Sequence, residues 1–377
     1  MMRAFLAFAV VGCAAPDPTE LFNGLSAEVL PATEAEALFV EAVESATSSL
    51  HIALPDAEDE ALLQAIGAAF DNGLEVELTL DIDEQDDPGV AQLFDLGVPI
   101  TLASDGLEYF EFALNEVVSW SSEETVMSHA YVVVDRQRIV TATTAGHTRS
   151  GDRVVFSMHG EELLEDWLIE HNQVFGGVDA TAVTAFSSPA KSIADFRWRY
   201  GTATATDLEV WFGPQERITK RVIDAVYSAR SSVWVMSDDL ANEGLIAALR
   251  TKNRWDFDVR VLTGPGLGST STAVLREFDA QLINVDRREW LDVDQIPTVV
   301  IIDPDVENNG FGTASMVLVL SHELYSAARL FRGNEIVTDQ LIDGALVVLS
   351  NRSQEDRAEI EQFVTFFESR FEQGVPR

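Results

Sequence analysis

The sequence predicts an α/β protein made of two similar halves, each a mostly parallel mixed sheet flanked by helices. Strand-like and helix-like segments alternate along the chain, which is the order that builds such sheets. An ungapped offset of 183 residues places residues 41–50 on residues 224–233, with six identities in ten positions. The 377 residues are 46% hydrophobic, which supports two folded cores rather than a disordered chain.

The repeat extends beyond its best-matching segment. The same offset places Leu62 on Leu245 and Val76 on Val259, so the next helix and strand repeat as well. Any function is expected where the halves meet. The predicted organisation is a signal peptide over 1–12, a tether over 13–30, a first half over 31–177, a connection over 178–206 and a second half over 207–377.

Local patterns place the elements of the two halves. Apolar residues recur at helical spacing over 34–46, and Asn72-Gly73 provides a helix stop after 59–71. In the first half we predict helices 34–46, 59–71, 90–96 and 161–175 and strands 50–54, 74–81, 98–102, 131–135, 138–144 and 153–158. In the second half we predict helices 216–230, 243–252, 273–279 and 355–372 and strands 208–212, 232–237, 257–263, 281–285, 298–303, 315–321 and 345–349.

The charge of the chain limits its partners. With 63 acidic and 25 basic residues the net charge is −38, and the acidic residues are spread along the whole sequence. Nucleic acid is not expected as a partner, because binding a phosphate backbone requires a basic surface. Lysine is rare: the chain has Lys191, Lys220 and Lys252 and otherwise uses arginine.

The N-terminus resembles a bacterial lipoprotein signal. A basic start at Arg3 precedes the short apolar run 4–11 and then Cys13, the only cysteine of the chain. The run is too short to span a bilayer. The resemblance implies lipidation of Cys13 and attachment to a membrane of the cell envelope through acyl chains. Ala14 follows instead of aspartate, which favours the outer membrane; the alternative is a secretory signal with a chance cysteine.

Two pairs of stretches occupy corresponding places in the halves. Residues 128–135 and 296–303 are apolar strands that end in Asp135 and Asp303, and a second strand follows each at 139–145 and 317–323. In this pattern the chain, over about residues 30–372, resembles the phospholipase D superfamily, whose members carry an HxKxxxxD motif and a GSxN-type motif in each half. The resemblance implies phosphoryl transfer through one nucleophilic and one acid–base histidine, with lysines and asparagines holding the phosphoryl oxygens.

The catalytic positions of that pattern are substituted. Ser128 and Ile296 stand at the histidine positions, and Ala130 and Thr298 stand at the lysine positions. The glycine, serine and asparagine positions hold Ala142, Thr143 and Ala145 in the first half and Leu320, Ser321 and Glu323 in the second. Asn334-Glu335 matches a downstream Asn–Glu pair of many family members. Asp135 and Asp303 remain, and each is expected to end a strand and set a turn.

Neighbouring histidines are weak substitutes. His129 is one residue out of register, so its side chain is expected on the opposite face of the strand unless a bulge re-aims it. His322 and His147 follow the motif strands and could lie near a cleft rim. The remaining histidines are interpreted as ordinary polar residues of strands and helices: His51, His159 and His171.

Other signals predict no cofactor and no metal site. The glycine-rich segment 264–270 lacks the lysine of a phosphate-binding loop. The acidic segments 81–87 and 303–309 lack the ligand spacing of a calcium-binding EF-hand, so both are interpreted as solvated loops.

The sequence therefore predicts a catalytically inactive, phospholipase D-like lipoprotein with a binding or scaffolding role at the cell envelope. The alternative is a divergent phosphodiesterase that acts on phospholipid or another phosphodiester with unconventional residues. A third possibility is that the architecture remains and a new activity lies elsewhere on the fold.

Overall fold

The computed structural model describes residues 24–103, 108–113, 116–143, 151–175, 185–187, 200–201, 206–213, 218–238, 240, 242–264, 285–290, 296–304, 315–322, 329–332, 335–351 and 358–376. The helices are α1 (Ala32–Glu44), α2 (Glu60–Asp71), α3 (Pro88–Leu96), α4 (Glu161–Phe175), α5 (Ile218–Ser228), α6 (Glu243–Asn253) and α7 (Ala358–Gln373). A 3-10 helix covers Ile82–Asp86.

The first half of the chain contributes strands β1 (Gly24–Pro31), β2 (Ser49–Leu54), β3 (Glu75–Asp81), β4 (Ile100–Ala103), β5 (Glu108–Ala113), β6 (Glu116–Met127), β7 (Tyr131–Val134), β8 (Arg138–Ala142), β9 (Asp152–His159) and β10 (Ala185–Ser187). The second half contributes β11 (Tyr200–Gly201), β12 (Thr206–Phe212), β13 (Ser232–Ser237), β14 (Asp258–Thr263), β15 (Asp286–Glu289), β16 (Thr298–Ile302), β17 (Met316–Leu320), β18 (Arg329–Arg332), β19 (Glu335–Asp343), β20 (Ala345–Asn351) and β21 (Val375–Pro376).

Two mixed sheets repeat one strand order. The first runs β1-β9-β8-β7-β2-β3-β4-β10, and the second contains the equivalent order β12-β20-β17-β16-β13-β14-β15, flanked by β11 and β21. Within these two sheets, parallel pairing is confined to β2-β3-β4-β10 and to β13-β14-β15, and the other described pairs are antiparallel. The structure thus confirms the predicted class, two similar halves with mixed sheets flanked by helices.

Helices α4 and α7 lie in one core between the two sheets. Trp167 of α4 and Phe363 and Phe367 of α7 are almost fully buried there, with Tyr131 from the first sheet and Trp234 from the second. Large aromatic side chains bury much apolar surface, which makes this shared core a dominant source of stability. The halves are therefore held face to face.

Separate cores cover the outer faces of the sheets. The first joins α1, α2 and α3 to one sheet, and the second joins α5 and α6 to the other. Asp59 caps α2 through the N–H groups of Ala61 and Leu62, and Asn242, at the repeat offset, caps α6 through the N–H of Leu245. The repeat thus preserves the helix starts as well as the apolar positions.

Each half is tied at one end by an aspartate clamp. The Asp135 carboxylate accepts backbone N–H groups of residues 47–49, and Asp303 accepts those of residues 230–232, the segments that the repeat offset superimposes. Both aspartates have a positive φ, 52° and 50°. These are the turns that the sequence predicts, and the clamps fix the start of the central strands β2 and β13.

Three features of the fold differ from the sequence prediction: the end of the tether, the content of the connection and one additional sheet. The predicted tether ends too late, because β1 pairs with β9 from Gly24 onward. The predicted connection contains β10, which extends the first sheet, and β11, which extends the second. A further sheet of order β18-β19-β6-β5 joins both halves and was not predicted. Helix 273–279 and residues 281–284 of the predicted strand 281–285 lie outside the described residues, and β15 begins after that strand, at Asp286.

None of the helices in the described ranges combines the length and the apolar character that crossing a membrane would require.

We expect Asp303→Ala to lower the free energy of unfolding by about 3 kcal/mol. The substitution removes the acceptor of three amide N–H groups and of the Ser231 hydroxyl, and a hydrogen bond to a charged group contributes about 1.5–3 kcal/mol. Urea unfolding measures the loss. Asp256→Ala is the control, because Asp256 also has a positive φ, 59°, but its side chain is exposed. Equal losses in the two variants would show that the clamp contributes nothing beyond the turn conformation.

Candidate functional site

A parallel strand pair from the two halves builds the junction. β6 and β19 run side by side, with Met127 opposite Asp343. The residue that follows β6 is Ser128, and the residue that follows β19 is Gly344. This pairing carries the first histidine position of the phospholipase D pattern directly against the second half.

The junction is filled by small polar side chains. Ser128 Oγ lies 3.3 Å from Ser321 Oγ, and Ser321 Oγ lies 3.4 Å from His322 Nδ1. All three residues are buried. Two motif positions predicted from the sequence, Ser128 and Ser321, therefore meet across the halves, and His322 joins them.

Gly344 closes this cluster. A Cβ atom placed on Gly344 would stand 2.3 Å from Ser128 Oγ, 2.5 Å from Ser321 Oγ and 2.8 Å from His322 Nδ1. The backbone here has no left-handed conformation, so the requirement for glycine is one of space. The sequence did not single out this residue; the close approach of the two halves requires it.

The hydroxyl residues of the second motif have the same backbone role in both halves. The Thr143 amide donates to the Val154 carbonyl, and the Thr143 hydroxyl accepts the Val154 N–H at 3.0 Å. Ser321 does the same with Ala345: its amide donates to that carbonyl and its hydroxyl accepts that N–H, each at 2.9 Å. Each hydroxyl thus joins two neighbouring strands.

The other motif positions are buried and neutral. Ile296 packs in the core between the sheets, and its N–H donates to Asp238 at 3.0 Å. Thr298 is buried and lies 3.2 Å from Ser237 through their hydroxyl oxygens. Ala130 faces the outer core of the first half. The lysine and histidine positions therefore present alkyl groups and hydroxyls.

The retained aspartates lie at the far end of their strands from the junction. Burial opposes ionisation of Asp135, but hydrogen bonds from Ser49, Thr47 and Ser48 outweigh it and hold the pKa of this carboxyl well below its usual range. Asp303 is bonded in the same way. Their position and partners give both residues a structural role.

His129 lies on the opposite face from the junction cluster. It is fully buried, its Nε2 lies 3.1 Å from Glu170 Oε1 of α4, and its ring packs edge-on against Tyr131. Tyr131 belongs to the core between the sheets, whereas Ala130 belongs to the outer core. His129 therefore faces α4 and the core between the sheets.

The polar contacts continue from His129 along α4. The Tyr131 hydroxyl lies 3.1 Å from His171 Nδ1, His171 Nε2 lies 3.2 Å from Glu77 Oε2, and His51 Nδ1 lies 2.9 Å from the same oxygen. The contacts from His171 and His51 hold the pKa of Glu77 well below its usual range, and burial lowers the pKa of His171. The sequence placed these histidines as ordinary polar residues and did not bring them together.

Carboxylates of the acidic segment 81–87 accept hydrogen bonds from nearby backbone N–H groups. Asp81 accepts the N–H of Asp83, and Asp87 accepts those of Gly89 and Val90 at the start of α3. Glu84 accepts the Ala57 N–H. Asp81 and Asp87 thus act as helix caps, and Glu84 ties this segment to the loop that precedes α2.

The two described lysines lie away from the junction. Lys220 pairs with Asp224 on the surface of α5. Lys252 is buried near the Asp303 end of the second half and donates to the carbonyl oxygens of Tyr227 and Ala229. The remaining sequence-predicted positions lie outside the described residues: Cys13, Ala145, His147, Lys191, Glu323 and Asn334.

Comparisons with known proteins support the fold. No protein-family model matches the chain, and no curated protein matches it. Phosphatidylserine synthase from Haemophilus influenzae Rd KW20 is similar with a TM-score of 0.63 and 10% identity, over 93% of this chain and 87% of that chain. Polyphosphate kinase from Porphyromonas gingivalis is similar with a TM-score of 0.54 and 11% identity, over 92% of this chain and 50% of that chain.

Nuc, a phospholipase D family member from Salmonella typhimurium, also matches, with 19% identity and a TM-score of 0.33, over 46% of this chain and 98% of that chain. The chain spans about half the length of the polyphosphate kinase. The likeness to the phosphatidylserine synthase and to the polyphosphate kinase confirms the predicted resemblance at the level of fold alone: the chain has a phospholipase D-like fold.

We expect Gly344→Ala to lower the free energy of unfolding by about 1–3 kcal/mol, the usual cost of adding a methyl group to a packed interior. The new Cβ must displace Ser128, Ser321 and His322 together. Thermal and urea unfolding measure the change. Gly24→Ala is the matched control, because its Cβ would meet only an ordinary contact, 3.6 Å from His159 Cδ2. A Gly344→Ala variant as stable as the control would contradict the close packing described at the junction.

Proposed function

We propose that this chain is a phospholipase D-like lipoprotein with a binding or scaffolding role at the cell envelope, and that it does not hydrolyse phosphodiesters. The observation that carries the proposal is the chemistry of the buried motif positions. Phosphoryl transfer by this fold needs a nucleophile and positive charge against the developing negative charge. Ser128, Ile296, Ala130 and Thr298 replace the residues that would supply both.

The packing of the junction supports the same proposal. Ser128 Oγ and Ser321 Oγ are 3.3 Å apart, and Gly344 covers them without room for even a methyl group. A phosphodiester would have to separate the two halves to reach these atoms. The core around α4 and α7 opposes that separation.

The proposed envelope location and the proposed attachment to a membrane both depend on lipidation of Cys13. Lipidation there would hold the chain at a membrane, and Ala14 after the cysteine favours the outer membrane over the inner one. The net charge of −38 argues against nucleic acid as a partner. A binding role would then use another surface than the junction.

An outer face of the first half offers such a surface. A groove of about 660 Å³ lies between α2 and α3. Carboxylates of Glu58, Glu60, Asp71 and Asp87 line it, and Leu96 at its edge is 46% exposed. Acidic walls beside apolar surface suit a cationic, amphipathic ligand more than an anionic one.

The second candidate function is a divergent phosphodiesterase, and one observation favours it. Ser128, Ser321 and His322 form a continuous row of contacts at the family's reaction centre. A serine hydroxyl beside an imidazole can act as a nucleophile if the imidazole takes its proton. In this candidate Ser128 or Ser321 would attack phosphorus while His322 takes the hydroxyl proton and passes it to the alcohol oxygen that leaves as its bond to phosphorus breaks. Water, deprotonated by His322, would then displace the serine and release the phosphomonoester.

An activity measurement separates the two functions. We expect the purified full-length chain in detergent to hydrolyse neither phospholipid vesicles nor bis(p-nitrophenyl) phosphate above the rate without protein, over a range of salt and divalent ions. Turnover that disappears in Ser128→Ala or His322→Ala would replace the proposal with the divergent phosphodiesterase. Turnover that disappears only in His129→Ala would make His129 a relocated catalytic group.

A labelling measurement tests the anchor. We expect the wild-type chain, expressed in a bacterium with radioactive fatty acid, to carry the label and to sediment with the outer-membrane fraction. Cys13→Ser should lose the label and the membrane association, because no other cysteine can receive the modification. A wild-type chain that is exported without label would instead support the plain secretory signal.

A further inference from the structure

Three side chains from three elements converge on one face of the first sheet. His51 of β2 and Glu77 of β3 are direct neighbours in the parallel register, and His171 reaches them from α4. Their ligand atoms all lie within 4.8 Å of one another. Two imidazoles and one carboxylate, separated by as many as 120 residues in sequence, thus meet at one point.

The spacing of these atoms is that of a coordination shell. Glu77 Oε2 lies 2.9 Å from His51 Nδ1 and 3.2 Å from His171 Nε2. Nitrogen and oxygen ligands bind Zn²⁺ at about 2.0–2.2 Å, so tetrahedral ligands stand about 3.3 Å apart. Two of the three donor pairs already lie near that separation and the third lies within 4.8 Å, so an ion could enter after adjustments of the side chains.

The surroundings fix the orientation of His171 as a ligand. Its Nδ1 lies 3.1 Å from the Tyr131 hydroxyl, and its ring stacks on Phe175 at 5.6 Å between centroids. Histidines that bind metals usually donate their second ring N–H to an oxygen, which sets the ring and its tautomer. Tyr131 supplies that oxygen, and Nε2 is left to face Glu77.

The site is buried but has an entrance. The side chains of His51 and His171 are 4% and 1% exposed, whereas that of Glu77 is 27% exposed. His171 Nε2, the nitrogen that faces Glu77, is buried and makes no hydrogen bond among the described residues, an arrangement that native proteins rarely leave without a purpose. Glu77 at the surface would meet an incoming cation first, and the acidic chain raises the local concentration of cations.

We propose that His51, Glu77 and His171 bind one divalent transition-metal ion of the zinc class, with a fourth position left for water or another small ligand. Mixed nitrogen and oxygen donors select such ions, whereas calcium and magnesium prefer oxygen donors alone. The ion would tie the end of α4 to β2 and β3. The site lies apart from the junction cluster, on the face of His129 and Tyr131, and it does not depend on the proposed function.

Cobalt binding to the metal-free, full-length chain tests the proposal, in a preparation that carries no polyhistidine tag. We expect a visible absorption band that saturates at one Co²⁺ per chain and that Zn²⁺ displaces. His51→Ala and His171→Ala should abolish the band. Tyr131→Phe should weaken binding by roughly tenfold, the usual effect of losing a partner of a ligating histidine. His159→Ala is the control, since His159 is exposed on β9, and it should bind like the wild type.

Glu77→Gln provides a second test that does not depend on the folding of the histidine variants. It keeps the size of a half-exposed side chain and removes its charge, so it should keep the wild-type circular dichroism and still lose affinity by at least tenfold. The proposal is overturned if the wild type binds no cobalt at millimolar concentration. It is also overturned if Glu77→Gln and a folded histidine variant both bind as tightly as the wild type, because the pair Glu77–His171 would then be only a buried ion pair.

Discussion

The burial of α4 and α7 between the two sheets is the constraint on which the rest of the molecule depends. Aromatic side chains from both helices and both sheets share this core, so the halves cannot move apart without exposing it to water. The same arrangement places β6 beside β19 and brings Ser128 to Ser321 and Gly344. The junction is therefore a consequence of packing. The side chains of Ser128, Ser321 and His322 fill it.

The motif residues that remain are those with a backbone role. Asp135 and Asp303 each hold the loop that leads into a central strand, and Thr143 and Ser321 each join two neighbouring strands through hydroxyl and amide. The histidine and lysine positions of the resemblance hold residues without charge, Ser128, Ile296, Ala130 and Thr298. The fold itself is similar to that of a solved structure with a TM-score of 0.63 although only 10% of the residues are identical.

A one-residue step separates two chemical environments in the first half. Ser128 faces the other half at the junction, and His129 faces α4 and Glu170. The α4 face continues through Tyr131 and His171 to Glu77 and His51, where donors of a metal site converge. The buried histidines described in this half therefore lie on the α4 face, away from the junction cluster.

The sequence by itself determined the α/β class and the duplication, because apolar periodicity and an ungapped repeat are properties of the residue order alone. The substituted motif positions followed from the resemblance to the phospholipase D superfamily. It also determined the turn role of Asp135 and Asp303, since a strand followed by aspartate is a local signal. Only the tertiary structure decided the sheet that joins β6 to β19, the need for glycine at Gly344 and the meeting of His51, Glu77 and His171. Those features depend on contacts between residues far apart in sequence. The spacing of residues along the chain does not indicate which distant residues will meet in the folded structure.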